Sequence, residues 1–138
     1  MRARIKWVEN VSFLAQSESG HSVLMDGAPA AGGQNLGPRP MELLLMGTGG
    51  CTAFDVVTIL KKGRADVVDC EVALDATRAE TDPKVFTHIH MHFTVKGRQL
   101  KVEQVKRAIE LSAEKYCSAS IMLGATVKIS HDFEIVEV

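Results

Sequence analysis

Apolar and polar positions alternate with period two at both ends of the chain and through its middle. Residues 3–7 place Ala3, Ile5 and Trp7 on one side and Arg4 and Lys6 on the other, which predicts a strand with one buried face. After a turn at Glu9-Asn10, "VSFLAQ" continues with Val11, Phe13 and Ala15, and "HSVLMD" gives a short third strand. "VVDCEVALDATR" sets Val68, Cys70, Val72, Leu74 and Ala76 against Asp69, Glu71, Ala73 and Asp75. "VFTHIHMHFTVKG" sets Val85, Thr87, Ile89, Met91, Phe93 and Val95 against Phe86, His88, His90, His92, Thr94 and Lys96. These read as two half-buried strands joined at "TDPK", and "TVKISHDFEIVEV" closes the chain as a further strand.

Two stretches carry a helical period instead. Pro40 suits the first position of a helix, where its missing N–H costs nothing, and the helix should run to Lys62 and stop at Gly63. It is apolar almost all round until Lys61 and Lys62, so it should be buried on most sides. A chain of this size has little room to surround it, which points to cover from a second chain. Residues 101–116, with Val102, Val105, Ala108, Ile109 and Ser112 at helical spacing, form an amphipathic helix, and a short helix "SASIML" follows up to Gly124. Between the third strand and the long helix, "GAPAAGGQNLGPRP" has no apolar period and reads as a mobile loop. The predicted order is βββ-α-ββ-αα-β, an α+β fold in one domain spanning 1–138.

Composition narrows the function. Hydrophobic residues make up 46% and aromatics 5%, so the core is aliphatic. A formal net charge of -1 with no basic or acidic block gives no electrostatic footprint for nucleic acid or an anionic membrane. No uncharged run exceeds twelve residues, and the apolar one between Glu42 and Asp55 is at that length too short to span a bilayer. "MRARIKWVEN" has no apolar core of a secretory signal, so a cytoplasmic location is expected. Three cysteines, an odd number, argue against a disulfide framework and for catalytic or redox use.

Cys51 follows Gly47, Gly49 and Gly50 inside the long helix, although each glycine costs a helix interior roughly 1 kcal/mol relative to alanine. Cys117 ends the amphipathic helix in "EKYCSAS", and Cys70 lies on the apolar face of a strand, where a cysteine is usually a small hydrophobe. The thiolate is the reactive form, and an ordinary thiol with a pKa of about 8.5 is mostly protonated at pH 7. Cys51 sits more than two turns from its helix N-terminus, and Asp55 at i+4 would oppose ionisation, so activation needs a cation from elsewhere. His88, His90 and His92 share one face of one strand. With Thr94 and Lys96 on the same face, they read as a solvent-facing side rather than a metal site. There is no G-x-S-x-G, phosphate-binding glycine loop or paired-cysteine zinc motif, so neither cofactor nor metal is expected.

"GPRPMELLLMGTGGCTAFDVV" together with "SAEKYCSASIML" resembles the OsmC/Ohr family, the osmotically inducible and organic hydroperoxide resistance proteins. The shared features are a Pro-x-Glu helix start, a cysteine eleven residues after that proline, and a second cysteine after a later helix. The resemblance covers nearly the whole chain and is strongest to the subgroup typified by bacterial YhfA. It implies an intertwined homodimer with the cysteine-bearing helices packed centrally, where Gly47, Gly49 and Gly50 let backbones approach. It also implies thiol-dependent reduction of organic hydroperoxides, with Cys51 as the attacking thiolate, Cys117 resolving it as a disulfide, and an external dithiol as reductant. The family's activating Glu directly follows the helix-start proline, where this chain has Met41 and then Glu42, and its Arg lies in an early turn, here "SESGHS". Glu42 and Arg39, with Arg2 and Arg4 as alternatives to Arg39, are the candidates for that supporting role. The rival reading is a non-enzymatic redox-responsive or small-ligand-binding dimer, in which the cysteine pair reports oxidation or lines a pocket.

Overall fold

The computed structural model describes residues 1–138. It is a mixed α+β structure with two three-stranded sheets, one in each of two units, Met1–Leu44 and Leu45–Val138.

The first unit is an antiparallel meander of β1 (Ala3–Glu9), β2 (Ser12–Ser17) and β3 (Ser22–Met25). Asn10 turns the first hairpin with φ +47, a left-handed conformation that asparagine tolerates. Ile5 pairs with Ala15 and Trp7 with Phe13, while Ala15 and Phe13 pair with Val23 and Met25, so these six residues share one face. The predicted apolar face therefore exists but is not buried. Ile5, Trp7, Phe13 and Val23 are exposed, Trp7 at 63%, because the unit contains no second layer of its own. The stretch expected to be a mobile loop is held from within. The Asp26 carboxylate, itself buried, accepts hydrogen bonds from the backbone N–H groups of Gly27 (2.8 Å), Gln34 (3.0 Å) and Leu36 (3.1 Å). Those bonds hold its pKa below the ordinary carboxylate value.

The helix α1 (Pro40–Lys62) begins in the first unit and runs through the second. Its end differs in detail from the expected glycine stop. The left-handed residue is Arg64 (φ +57), and Ala65 N–H closes onto Leu60 O at 3.0 Å. Gly63 lies against Gln104, whose Nε2 donates to Gly63 O at 2.9 Å and would stand 2.5 Å from a Cβ at that position.

In the second unit β4 (Asp66–Arg78) pairs antiparallel with β5 (Phe86–Arg98), and β5 pairs parallel with β6 (Lys128–Glu137). A parallel neighbour requires a long crossover. Here it comprises α2 (Val102–Leu111), a π-turn over Ser112–Tyr116 and α3 (Ser118–Gly124). Ile89, Met91, Phe93 and Val95 of β5, Val105, Ala108 and Ile109 of α2, and Val56 and Leu60 of α1 are buried and form an aliphatic core. Each such side chain contributes roughly 1.5–3 kcal/mol when fully buried. Register shifts at the two ends of the β4–β5 ladder correct the predicted alternation. One, between Val67 and Asp69, leaves Val68 exposed. The other, between Thr77 and Arg78, goes with a buried Phe86 and an exposed Val85.

The long helix is less covered than its composition predicts. Thr48, Gly49, Thr52, Val56 and Leu60 make one buried stripe, while Leu44, Met46 and Phe54 are exposed. Its length and composition meet those of a bilayer-crossing helix, more than the twelve-residue uncharged run suggested. The hydrogen bonds of Thr52 and Asp55 described next tie it to the crossover of the second unit.

Candidate functional site

Cys51, Thr52 and Asp55 lie along one stretch of α1, and Ser112 and Cys117 bracket the π-turn. Cys117 N–H bonds Ser112 O at 2.9 Å, a wider turn than that of an α-helix, and the chain then becomes extended at Cys117 (φ -73, ψ 99) before starting α3. Cys117 caps α3: its Sγ accepts a hydrogen bond from Ser120 N–H at 3.4 Å.

This geometry brings Cys51 Sγ, Cys117 Sγ and an Asp55 carboxylate oxygen within 4.8 Å of one another. Both cysteines are free thiols. Their exposures differ: Cys51 is half-buried and reachable, whereas Cys117 is fully buried. Burial pushes the Cys117 thiol above its ordinary pKa, against the opposing hydrogen bond from Ser120, and the neighbouring Cys51 pushes it further up. Asp55 is held by Ser112, whose hydroxyl donates to Asp55 Oδ2 at 3.1 Å. Ser112 has one proton to give, so Thr52, whose hydroxyl lies 2.9 Å from that of Ser112, must be the donor to it. Ser112 is 0% exposed, and this chain of bonds is its only way to stay satisfied.

Glycine has distinct roles along this stretch of α1. A Cβ on Gly49 would come within 2.6 Å of Leu74 Cδ1, so that glycine lets the helix lie against β4. Cβ atoms on Gly47 and Gly50 would meet nothing within 4 Å. Asp55 also lines a cleft of about 380 Å³ with Phe54, Ile59, Lys62, Leu111 and Tyr116, mostly apolar walls. A larger cleft, about 940 Å³, lies at Arg64, Arg98, Lys101 and Arg107 and includes neither cysteine.

The two supporting candidates lie together in the first unit. Arg39 Nε is 3.6 Å from Glu42 Oε1, and Arg39 also donates to Asn35 Oδ1 and to Gly37 O. Of the three histidines on β5, His88 Nδ1 meets Thr87 Oγ1 at 3.1 Å, and the other two are committed to carboxylates of β6. His90 Nε2 and His92 Nδ1 both reach Asp132 Oδ1, at 3.0 and 2.7 Å, and His92 Nε2 lies 3.7 Å from Glu134. The Asp132 hydrogen bond raises the pKa of His92, and His92 in turn lowers that of Asp132. Cys70 is half-buried on β4, its thiol pKa raised by burial and then by Asp69.

Both thiols lie within the stretch of the chain that matches a known protein family. The model of the OsmC-like protein family fits residues 32–132. The chain belongs to the OsmC family. An OsmC relative, protein YhfA of Escherichia coli K12, is 55% identical over 136 residues, covering 99% of this chain and 98% of its own. A hypothetical protein from Aquifex aeolicus VF5 superposes with TM-score 0.87 at 28% identity, over 99% of this chain and 96% of its own. An organic hydroperoxide resistance protein from Elizabethkingia anophelis superposes with TM-score 0.75 at 15% identity, over 97% and 94%, a likeness of fold alone.

Ser112, Thr52 and Ser120 carry polar contacts of the site that the sequence pattern did not single out. The one signal available was a serine on the otherwise apolar inner stripe of the amphipathic helix, where a buried hydroxyl needs a partner.

Proposed function

We propose that this protein reduces organic hydroperoxides through the Cys51–Cys117 dithiol. The observation that carries the reading is the pair itself: two free sulfurs within 4.8 Å, one reachable and one sealed. Accessibility assigns the order of events. The Cys51 thiolate attacks the terminal oxygen of the peroxide, the S–O bond forms as the O–O bond breaks, and the alkoxide leaves as the alcohol after taking a proton. The Cys51 sulfenic acid is then attacked by the Cys117 sulfur, and the sulfenic oxygen departs as water. A dithiol reduces the resulting disulfide by exchange. The apolar cleft at Phe54, Ile59, Leu111 and Tyr116 suits an organic rather than an inorganic peroxide. Organic hydroperoxide resistance proteins share the fold.

The same reading assigns thiolate activation to Arg39, presented by Glu42, in a homodimer. Dimerisation is supported by the uncovered apolar faces, Ile5, Trp7 and Phe13 on the sheet and Leu44, Met46 and Phe54 on α1, and by the open space beside Gly47 and Gly50. Each protomer then counts as a single domain over 1–138. The reducing cytoplasm would supply the dithiol. A second reading, a redox reporter that oxidises without turning over, is favoured by one observation: the acid–base group beside both sulfurs is the Asp55 carboxyl and not a cationic side chain.

Steady-state consumption of cumene hydroperoxide with a dithiol reductant separates the two. Multiple turnovers, abolished by Cys51→Ser and arrested after one by Cys117→Ser, support the peroxidase. At most one slow oxidation per chain supports the reporter.

A further inference from the structure

We propose that the reduced site also holds one thiophilic divalent cation, of the Zn²⁺ type, through Cys51 Sγ, Cys117 Sγ and a carboxylate oxygen of Asp55, with water in the fourth position. This rests on the reading of Cys51 and Cys117 as a reactive reduced pair.

The donor atoms already converge, each within 4.8 Å of the others. A tetrahedral zinc with Zn–S of about 2.3 Å and Zn–O of about 2.0–2.2 Å needs sulfurs about 3.8 Å apart and sulfur–oxygen separations of about 3.6 Å. Small side-chain rotations close that difference. Three protein donors and one open position is the coordination of an accessible site. Two thiolates and a carboxylate suit a borderline-soft cation better than magnesium or calcium.

The surroundings fit as well. Ser112 donates to Asp55 Oδ2, and Thr52 stands behind Ser112, so the carboxylate is oriented by hydrogen-bonded partners of the kind that support metal ligands. Half-buried Cys51 gives an ion a way in, and buried Cys117 shields the far side. Once both thiols have lost their protons, the three ligands carry three negative charges, of which a divalent ion offsets two.

Binding releases one proton from each thiol as the two S–metal bonds form. A bound ion occupies both sulfurs and withholds them from peroxide. Conversely, one hydroperoxide and two protons convert the ion-bound dithiolate to the disulfide, the free ion, the alcohol and water. Metal occupancy and the disulfide thus exclude each other, which makes the ion a protector and a brake on the dithiol.

The test is an anaerobic titration of reduced, chelator-treated full-length protein with Co²⁺, followed by displacement with Zn²⁺. Expected are a thiolate-to-cobalt charge-transfer band saturating at one ion per chain, its loss in Cys51→Ser and in Cys117→Ser, and affinity lowered about tenfold or more in Asp55→Asn. The band should survive in a His90→Ala/His92→Ala variant. If Cys117→Ser does not fold, slowing of Cys51 alkylation by Zn²⁺ in the unsubstituted protein, and a need for about tenfold more Zn²⁺ to produce it in Asp55→Asn, serve instead. No thiolate band, or binding that disappears with the histidines and persists without the cysteines, overturns the proposal. Peroxide turnover is measured separately with chelator present, so a failure of either reading leaves the other legible.

Discussion

The Ser112 hydroxyl reaches across from the π-turn to the Asp55 carboxylate at 3.1 Å, and in doing so it ties the helix that carries Cys51 to the turn that delivers Cys117. Ser112→Ala removes the donor to Asp55 and the acceptor of Thr52 in a buried place. Unfolding in urea should show a loss of about 1–3 kcal/mol, and formation of the Cys51–Cys117 disulfide on oxidation should slow. Unchanged stability would mean that the bond does not anchor the turn.

Asp55→Asn keeps an acceptor for Ser112 and removes the charge beside the thiols. Alkylation of Cys51 by iodoacetamide at pH 7 should become several-fold faster, since one carboxyl group within 4.8 Å of the reacting sulfur is replaced by a neutral amide. A slower reaction would show that the carboxylate acts as a proton acceptor instead.

Cys117 gives a pH dependence with a definite sign. Its folded pKa lies above the ordinary thiol value, chiefly through burial. Above about pH 8.5 the unfolded chain sheds the thiol proton while the folded chain retains it, so the folded state binds more protons and stability falls as pH rises. Melting temperature should drop between neutral and alkaline pH, and less steeply in Cys117→Ala. Equal slopes would remove Cys117 as the cause.

The ladder of His92 and Asp132 acts in the acid range. His92 has a raised folded pKa, so its contribution is full below its unfolded value of about 6.5 and is lost as pH rises through the folded one. Asp132 has a lowered pKa, so its contribution is full above its unfolded value of about 3.9 and is lost as pH falls through the folded one. The pair therefore helps most between those two unfolded values. In an NMR titration Asp132→Asn should bring the His92 midpoint down, and a midpoint that stays put would contradict the assignment.

The glycines of α1 separate packing within the chain from packing against a second copy. Gly49→Ala drives a methyl into Leu74 Cδ1, and the overpacking cost of about 1–3 kcal/mol outweighs the roughly 1 kcal/mol gain in helix propensity. Gly47→Ala and Gly50→Ala meet open space within the chain, so a monomer would gain stability. In the proposed homodimer they obstruct close helix approach, and light scattering should show weakened dimers. Stabilised protein with an unchanged oligomeric state would argue against helix packing there.

Much of the fold was legible because its signals are local. Pro40 and the Lys61-Lys62 end bounded α1, and period-two alternation located every strand. The failures came where a partner decides the outcome. Bulges near Val68 and Phe86 reset which side chain faces inward, and a register shift leaves no mark in the alternation itself. Trp7 and Ile5 looked buried because the pattern reveals an apolar face and not what covers it. In the site, Cys51 and Cys117 were paired only through the family resemblance, and Asp55 entered only as the i+4 neighbour of Cys51; their convergence depends on the π-turn at Ser112–Tyr116, whose i→i+5 bond no sequence period announces.

The most direct test of the central claim is stopped-flow oxidation of reduced, chelator-treated protein by cumene hydroperoxide and by hydrogen peroxide, with Cys51→Ser as control. Cys51 should be oxidised by the organic peroxide about tenfold faster or more, a barrier difference of about 1.4 kcal/mol or more, and Cys51→Ser should abolish the reaction. Oxidation as slow as that of a free thiol, equal for both peroxides, would contradict it.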